Sequence, residues 1–163
     1  MDEGQHGEST GLGQGNLPLS LSAEATEEAE RRFHEAQIVT PATFSELSHV
    51  FGQAFLELKR NYTKITFEKL GKEKRLDEVR GELLIDHYPK FLEDHPKLKD
   101  TADIKKAFLS RNSEISELLN TINLLTAMEM VVKGKIEHIE LTLRAMKAKM
   151  DVIKNSGVRT NLY

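Results

Sequence analysis

From Ile115 to Ile153 one register recurs at alternating intervals of three and four: Ile115, Leu118, Ile122, Leu125, Glu129, Val132, Ile136, Ile139, Leu143, Met146, Met150 and Ile153. All are apolar but Glu129. A mean interval of 3.5 keeps an apolar row on one side of a helix only when that helix coils around a partner. The pattern therefore excludes strands and specifies a long supercoiled seam. Asp100 or Thr101 is the expected N-terminal cap, and "NSG" at 155–157 is the expected stop. At ~1.5 Å per residue, a helix of about 50 residues reaches roughly 75 Å, too long to be wrapped inside a globular core.

A second series precedes it. Thr43 with Glu46 reads as a capping box. It opens a row of Phe44, Ser48, Phe51, Phe55, Leu58, Tyr62, Ile65, Lys69, Lys72, Leu76, Val79 and Leu83. Pro89 and Pro96 bracket "KFLEDH" and are expected to end this helix near His87 or Tyr88, with a turn region from 88 to 100. Two long helices, about 43–87 and 101–155, imply an all-α fold: an elongated antiparallel helical hairpin. One seam leaves Leu109, Leu119, Leu124, Met128, Met130, Val131 and Leu141 unpartnered. Homo-oligomerisation is the expected way to bury them, with Ile122, Leu125, Val132, Ile136, Ile139, Leu143 and Met146 as its core.

Composition agrees with a narrow seam. Aromatic residues are 6 % of the 163 residues, Trp is absent and 39 % are hydrophobic, which argues against a thick core with a deep catalytic pocket and hence against an ordinary enzyme. The absence of cysteine excludes disulfides, thiolate zinc sites and thiol catalysis. With no window near 18 consecutive apolar residues and no signal-peptide pattern, the expectation is a soluble, cytoplasmic chain that meets no membrane.

Charge is uneven. Residues 1–48 hold nine acids and two bases, whereas the remainder holds 17 acids and 21 bases. Residues 1–20 are Gly-rich, polar and acidic, with little to bury, and read as a flexible acidic arm. A short helix is expected from Ser22 to Gln37, with Ser22 as cap and Glu24, Glu27 and Glu28 at the positive end of its dipole. "IVTP" breaks it, and residues 21–163 form a single helical oligomerisation domain.

The positive charge concentrates in residues 59–75, which carry seven Lys or Arg against two Glu. If Tyr62 and Ile65 face the seam, then Arg60, Lys64, Phe67, Gly71 and Lys74 share the outer face. Cations that track a phosphate backbone, interleaved with a ring that stacks on bases, are what single-stranded nucleic acid requires. Lys59, Lys69, Lys72 and Arg75 widen the band. The competing interpretation is a solvated helix face. A second basic cluster, Lys133, Lys135, Arg144, Lys147, Lys149 and Lys154, alternates with Glu137, Glu140 and Asp151 and reads as surface ion pairing. Glu46 and His49 have a metal-ligand spacing without a second copy, and Glu137, His138 and Glu140 lack a nucleophile or third ligand. No catalytic residue, metal or cofactor is expected.

The Lys/Arg-rich helix with "YTKITFEKLGKEKR…DHYPKF", the polar linker and the regular helix "DIKKAFLSRNSEISELLNTINLLTAMEMVVKGKIEHIELTLRAMKAKM" resemble the UvsY-type recombination mediators of T-even-like phages over residues 55–155. The chain departs from them in having Tyr88 followed by Pro89 where they carry paired tyrosines and a glycine, and in its acidic arm and net charge of −3. The resemblance implies a closed ring that binds single-stranded DNA and helps a RecA-type recombinase displace single-strand-binding protein. It further implies that Lys59, Arg60, Lys64, Lys69, Lys72, Lys74 and Arg75 contact DNA. The alternative is a coiled-coil scaffolding protein of a viral or other large assembly, without affinity for nucleic acid.

Overall fold

The computed structural model describes residues 21–36, 38 and 40–159. Among them every regular element is helical. Helix α1 spans Glu24–Glu35, α2 Pro41–Glu82, α3 Tyr88–Asp94, α4 Ala102–Leu109 and α5 Ser113–Arg159. The expected acidic arm at 1–20, and Gln37 at the expected end of the first helix, lie outside the described residues.

Helices α2 and α5 form the antiparallel hairpin, and their heptad rows make its seam. Phe51, Leu58 and Ile65 pack with Leu125, Val132, Ile136, Ile139 and Met146, while Leu76 and Val79 pack with Ile115. Ile122 and Leu143 are partly buried at the same seam. The row expected to hold an oligomer together is therefore consumed within one chain. The physical reason is proximity: a short connection brings α5 onto α2 at little loop entropy, ahead of any second molecule.

Helix α1 adds a third layer at one end of the hairpin. Ala29 meets Ala54 and Leu47 in the core, small residues allowing close approach, and Phe33 sets its ring edge-on to Phe51 at 5.6 Å. Ser22 does not cap α1 as expected; Ala23 occupies the N-cap without a side-chain bond. The cap comes instead from α2. Glu57 accepts hydrogen bonds from the Ala25 N–H at 3.2 Å, the Thr26 N–H at 3.0 Å, the Thr26 hydroxyl at 2.9 Å and the Ser22 hydroxyl at 2.6 Å.

Several expected boundaries move. Helix α2 starts before Thr43, because Pro41 has the fixed φ and missing N–H that suit a first turn, and the reciprocal capping box joins Thr40 to Thr43. Glu46, released from that role, reaches Arg32 on α1 at 2.8 Å. Nor does Pro89 end the helix. Residues Leu83–His87 widen into a π-helical turn, with the Tyr88 N–H bonded to the Leu83 carbonyl five residues back, so Pro89 falls in the first turn of α3, where no N–H is needed. Termination comes at His95, immediately before Pro96.

The second long helix is likewise interrupted. Thr101 caps α4, but the chain turns at Ser110–Asn112, and the Asn112 side chain then caps α5 through the Ile115 N–H at 3.0 Å. Ser and Asn offer the backbone alternatives to helical bonding, and both do so here, Ser110 bonding back to the Ala107 carbonyl. The break folds Phe108 against Tyr88 and Phe91 and closes the hairpin tip. At the other end α5 runs through "NSG" to Arg159. A glycine in a helix interior costs only about 1 kcal/mol relative to alanine, too little to stop a helix on its own.

Candidate nucleic-acid interface

The seam register decides which side chains of 59–75 reach the outside. Arg60, Lys64, Phe67, Gly71 and Lys74 share the exposed face of α2, and Phe67 is 76 % accessible. Leu56 and Leu70 are exposed beside them. Among the described residues neither Arg60 nor Lys64 has an acidic partner within ion-pair distance. Lys59 rests over the Phe55 ring at 5.2 Å, with its charge still outward. A side chain on Gly71 would meet nothing within 4 Å, so packing inside this chain does not explain that glycine. Lys59 to Lys74 covers about 22 Å of helix.

The remaining cations of the band are engaged. Lys69 turns into the seam, where its ammonium pairs with Glu129 of α5, and the Thr66 hydroxyl donates to the same carboxylate at 3.1 Å. The Glu129 hydrogen bond raises the Lys69 pKa above its ordinary value, and the Lys69 hydrogen bond lowers that of Glu129 against the opposing effect of burial. Arg75 bridges to Glu114 of α5 at 3.0 Å, which raises its pKa. Lys72 pairs with Glu68 at 3.3 Å and Lys74 with Glu78 at 3.8 Å along α2. Exposed pairs of that kind are worth at most about 0.5 kcal/mol and exchange readily for phosphate, whereas Lys69 cannot leave without opening the seam. The structure thus brings Lys59, Arg60, Lys64, Phe67 and Lys74 to one accessible surface, holds Arg75 at its edge, leaves Lys72 half-buried at its seam position and withdraws Lys69.

Other expected features separate. On α5, Lys133, Lys135, Lys147, Lys149 and Lys154 are exposed, and Arg144 approaches Glu140 at 3.7 Å. His49 is exposed and apart from any acid cluster; among the described residues no group of three or more His, Asp or Glu is placed to hold a metal.

One feature escaped the heptad reading and another was only partly named by it. The first is the Glu57 clasp, joined by Asn61, whose amide donates to the Ser22 carbonyl at 2.6 Å. The other lies on α5 opposite the seam: a second row at alternating threes and fours from Leu124 to Val152, every position of it exposed. Residues 113–156 are, by length and composition alone, apolar enough to cross a membrane. This second row is much of the reason. Compared with models of protein families, with curated proteins and with solved structures, the chain matches none.

Proposed function

We propose that this protein binds single-stranded nucleic acid along the outer face of α2. The observation that carries the reading is the placement of Arg60 and Lys64, without an acidic partner among the described residues, beside the accessible ring of Phe67 on one helix. Lys59 and Lys74 extend the positive track to either side, and the open space at Gly71 lets a strand approach the helix backbone. Phosphates would lie on the cations and bases on Phe67, a mode with little base specificity. With the resemblance over residues 55–155, the role this suggests is a recombination mediator: a protein that holds single-stranded DNA and assists a RecA-type recombinase in displacing single-strand-binding protein.

The test is a fluorescence-anisotropy titration with labelled oligo-dT at two salt concentrations. Log affinity should fall with log salt at about −0.7 per phosphate contact, and Arg60→Ala/Lys64→Ala/Lys74→Ala should flatten that slope by roughly 2. Phe67→Ala should weaken binding by about 1–3 kcal/mol with the slope unchanged. Wild-type affinity and slope in the triple variant would overturn the reading. A second reading, a scaffolding coiled coil without nucleic-acid affinity, is favoured by the exposed apolar row of α5.

A further inference from the structure

Helix α5 carries two heptad rows on opposite sides, and among the described residues only one has a partner. The inner row is consumed by α2. The outer row includes Val131 and Leu141, which are 61 % and 62 % accessible, with Met130 beside them at 70 %. A helix needing only solubility would place charges there. Gly134 lies in this row, and a Cβ on it would meet nothing within 4 Å. A glycine inside a helix sacrifices stability, and no contact among the described residues is gained from it.

We infer that the outer row of α5 is a self-association surface on which a second copy lays its own α5 antiparallel, with the two-fold axis between His138 and Leu141. Coiled-coil geometry in that register sets large residues against small ones at two layers and two small residues against each other at a third. Val131 faces Ala148 of the second copy, Ala127 faces its Val152, and Gly134 faces its Ala145. The flanks select the same register. Glu137 of each copy meets Arg144 of the other, twice by symmetry, and Lys135 meets Thr142. A shift of one heptad either way sets Glu137 on Glu137 and Lys135 on Lys135, or Arg144 on Arg144 and Lys135 on Lys149. A parallel pair would stack Gly134 on Gly134 and Leu141 on Leu141, and would bring Arg144 toward Lys149. The antiparallel register alone among these has no like-charge contact. This contact is independent of the α2 surface, so its failure and the failure of nucleic-acid binding are separate results.

Light scattering on the full chain should give at least twice the mass of one chain. Gly134→Leu improves helix propensity while blocking close approach, so it should keep or raise the far-ultraviolet circular dichroism and reduce self-association tenfold or more. Glu137→Arg alone should weaken association, and adding Arg144→Glu should restore it. Because the chain has no cysteine, Val131→Cys and Ala148→Cys can be oxidised separately and mixed. The mixture should form a disulfide between the two variants, and neither should cross-link to itself. Self-cross-linking of Val131→Cys would show a parallel pair and overturn the inference. So would undiminished association of Gly134→Leu, or a wild-type monomer, including one that sediments with neutral phosphatidylcholine vesicles and thereby assigns the row to lipid.

Discussion

Lys69 of α2 and Glu129 of α5 meet inside the seam, Glu129 the single polar member of its apolar row and Lys69 one of two adjacent lysines in its own. Between Ile65 and Leu76 no α2 side chain is fully buried, and the ion pair occupies that gap with its side chains 19 % and 17 % accessible. Slipping the hairpin by one heptad would set Lys69 beside Ile122 or Ile136 and leave the Glu129 carboxylate unpaired. A partly buried ion pair is a weak source of stability but an effective penalty on wrong registers.

Lys69→Met should therefore cost about 1–3 kcal/mol in urea unfolding, because it leaves the Glu129 carboxylate with the Thr66 and Tyr62 hydroxyls but no cation. The double change Lys69→Met/Glu129→Leu should recover that loss, matching or exceeding the wild type, while its amide spectrum shows more than one register. A double variant as unstable as the single, with a single set of signals, would mean the pair stabilises the seam and does not specify it.

The Glu57 clasp should respond to acid. Burial raises the Glu57 pKa, but the Ser22, Thr26 and Ala25 hydrogen bonds together outweigh it, and the net shift is downward. A carboxylate with a depressed folded-state pKa contributes stability that is present above the ordinary glutamate value of about 4.3 and is lost as pH falls through the lower folded value. Protection of α1 amides against hydrogen exchange should accordingly fall below about pH 4, ahead of the hairpin. Glu57→Gln should reproduce the loss at neutral pH, by about 1–2 kcal/mol. Equal loss of protection across α2 and α5 would show that α1 does not open separately.

Tyr88 ties the hairpin tip. Its ring is buried between Phe91 and Phe108, and its hydroxyl donates to Asp100 at 3.1 Å; burial, then that bond, raises its pKa. Tyr88→Phe should cost about 1 kcal/mol, the lost hydrogen bond. Tyr88→Ala should cost about 3–5 kcal/mol and expose the amides of α3 and α4 to exchange. Full protection of α3 and α4 in Tyr88→Ala would show that the aromatic contacts do not hold the tip.

The all-α hairpin was legible because period 3.5 leaves few alternatives, and the outer placement of Arg60, Lys64 and Phe67 followed from the same register. What periodicity does not encode is competition for each polar group. Thr43 reads as a cap until Pro41 moves the helix start, and Pro89 reads as a stop until a π-turn absorbs it. Lys69 reads as part of a basic band until Glu129, sixty residues away, is set opposite it. The clasp was invisible for the same reason: Glu57 is an unremarkable exposed-face residue until α1 docks beside it.

That distinction gives the sharpest test of the α2 surface. Lys64 and Lys69 are both lysines of one helix, five residues apart, and composition treats them alike. Lys64 projects outward without an acidic partner among the described residues, whereas Lys69 is committed to Glu129. Lys64→Ala should leave urea stability within about 0.5 kcal/mol of wild type and flatten the salt dependence of oligo-dT binding by about 0.7. Lys69→Ala should do the reverse, losing about 1–3 kcal/mol of stability with the salt slope unchanged when measured where the variant remains folded. If both flatten the slope equally, strand binding opens the seam at Lys69, and the interface extends inward beyond the face that Arg60, Lys64 and Phe67 present.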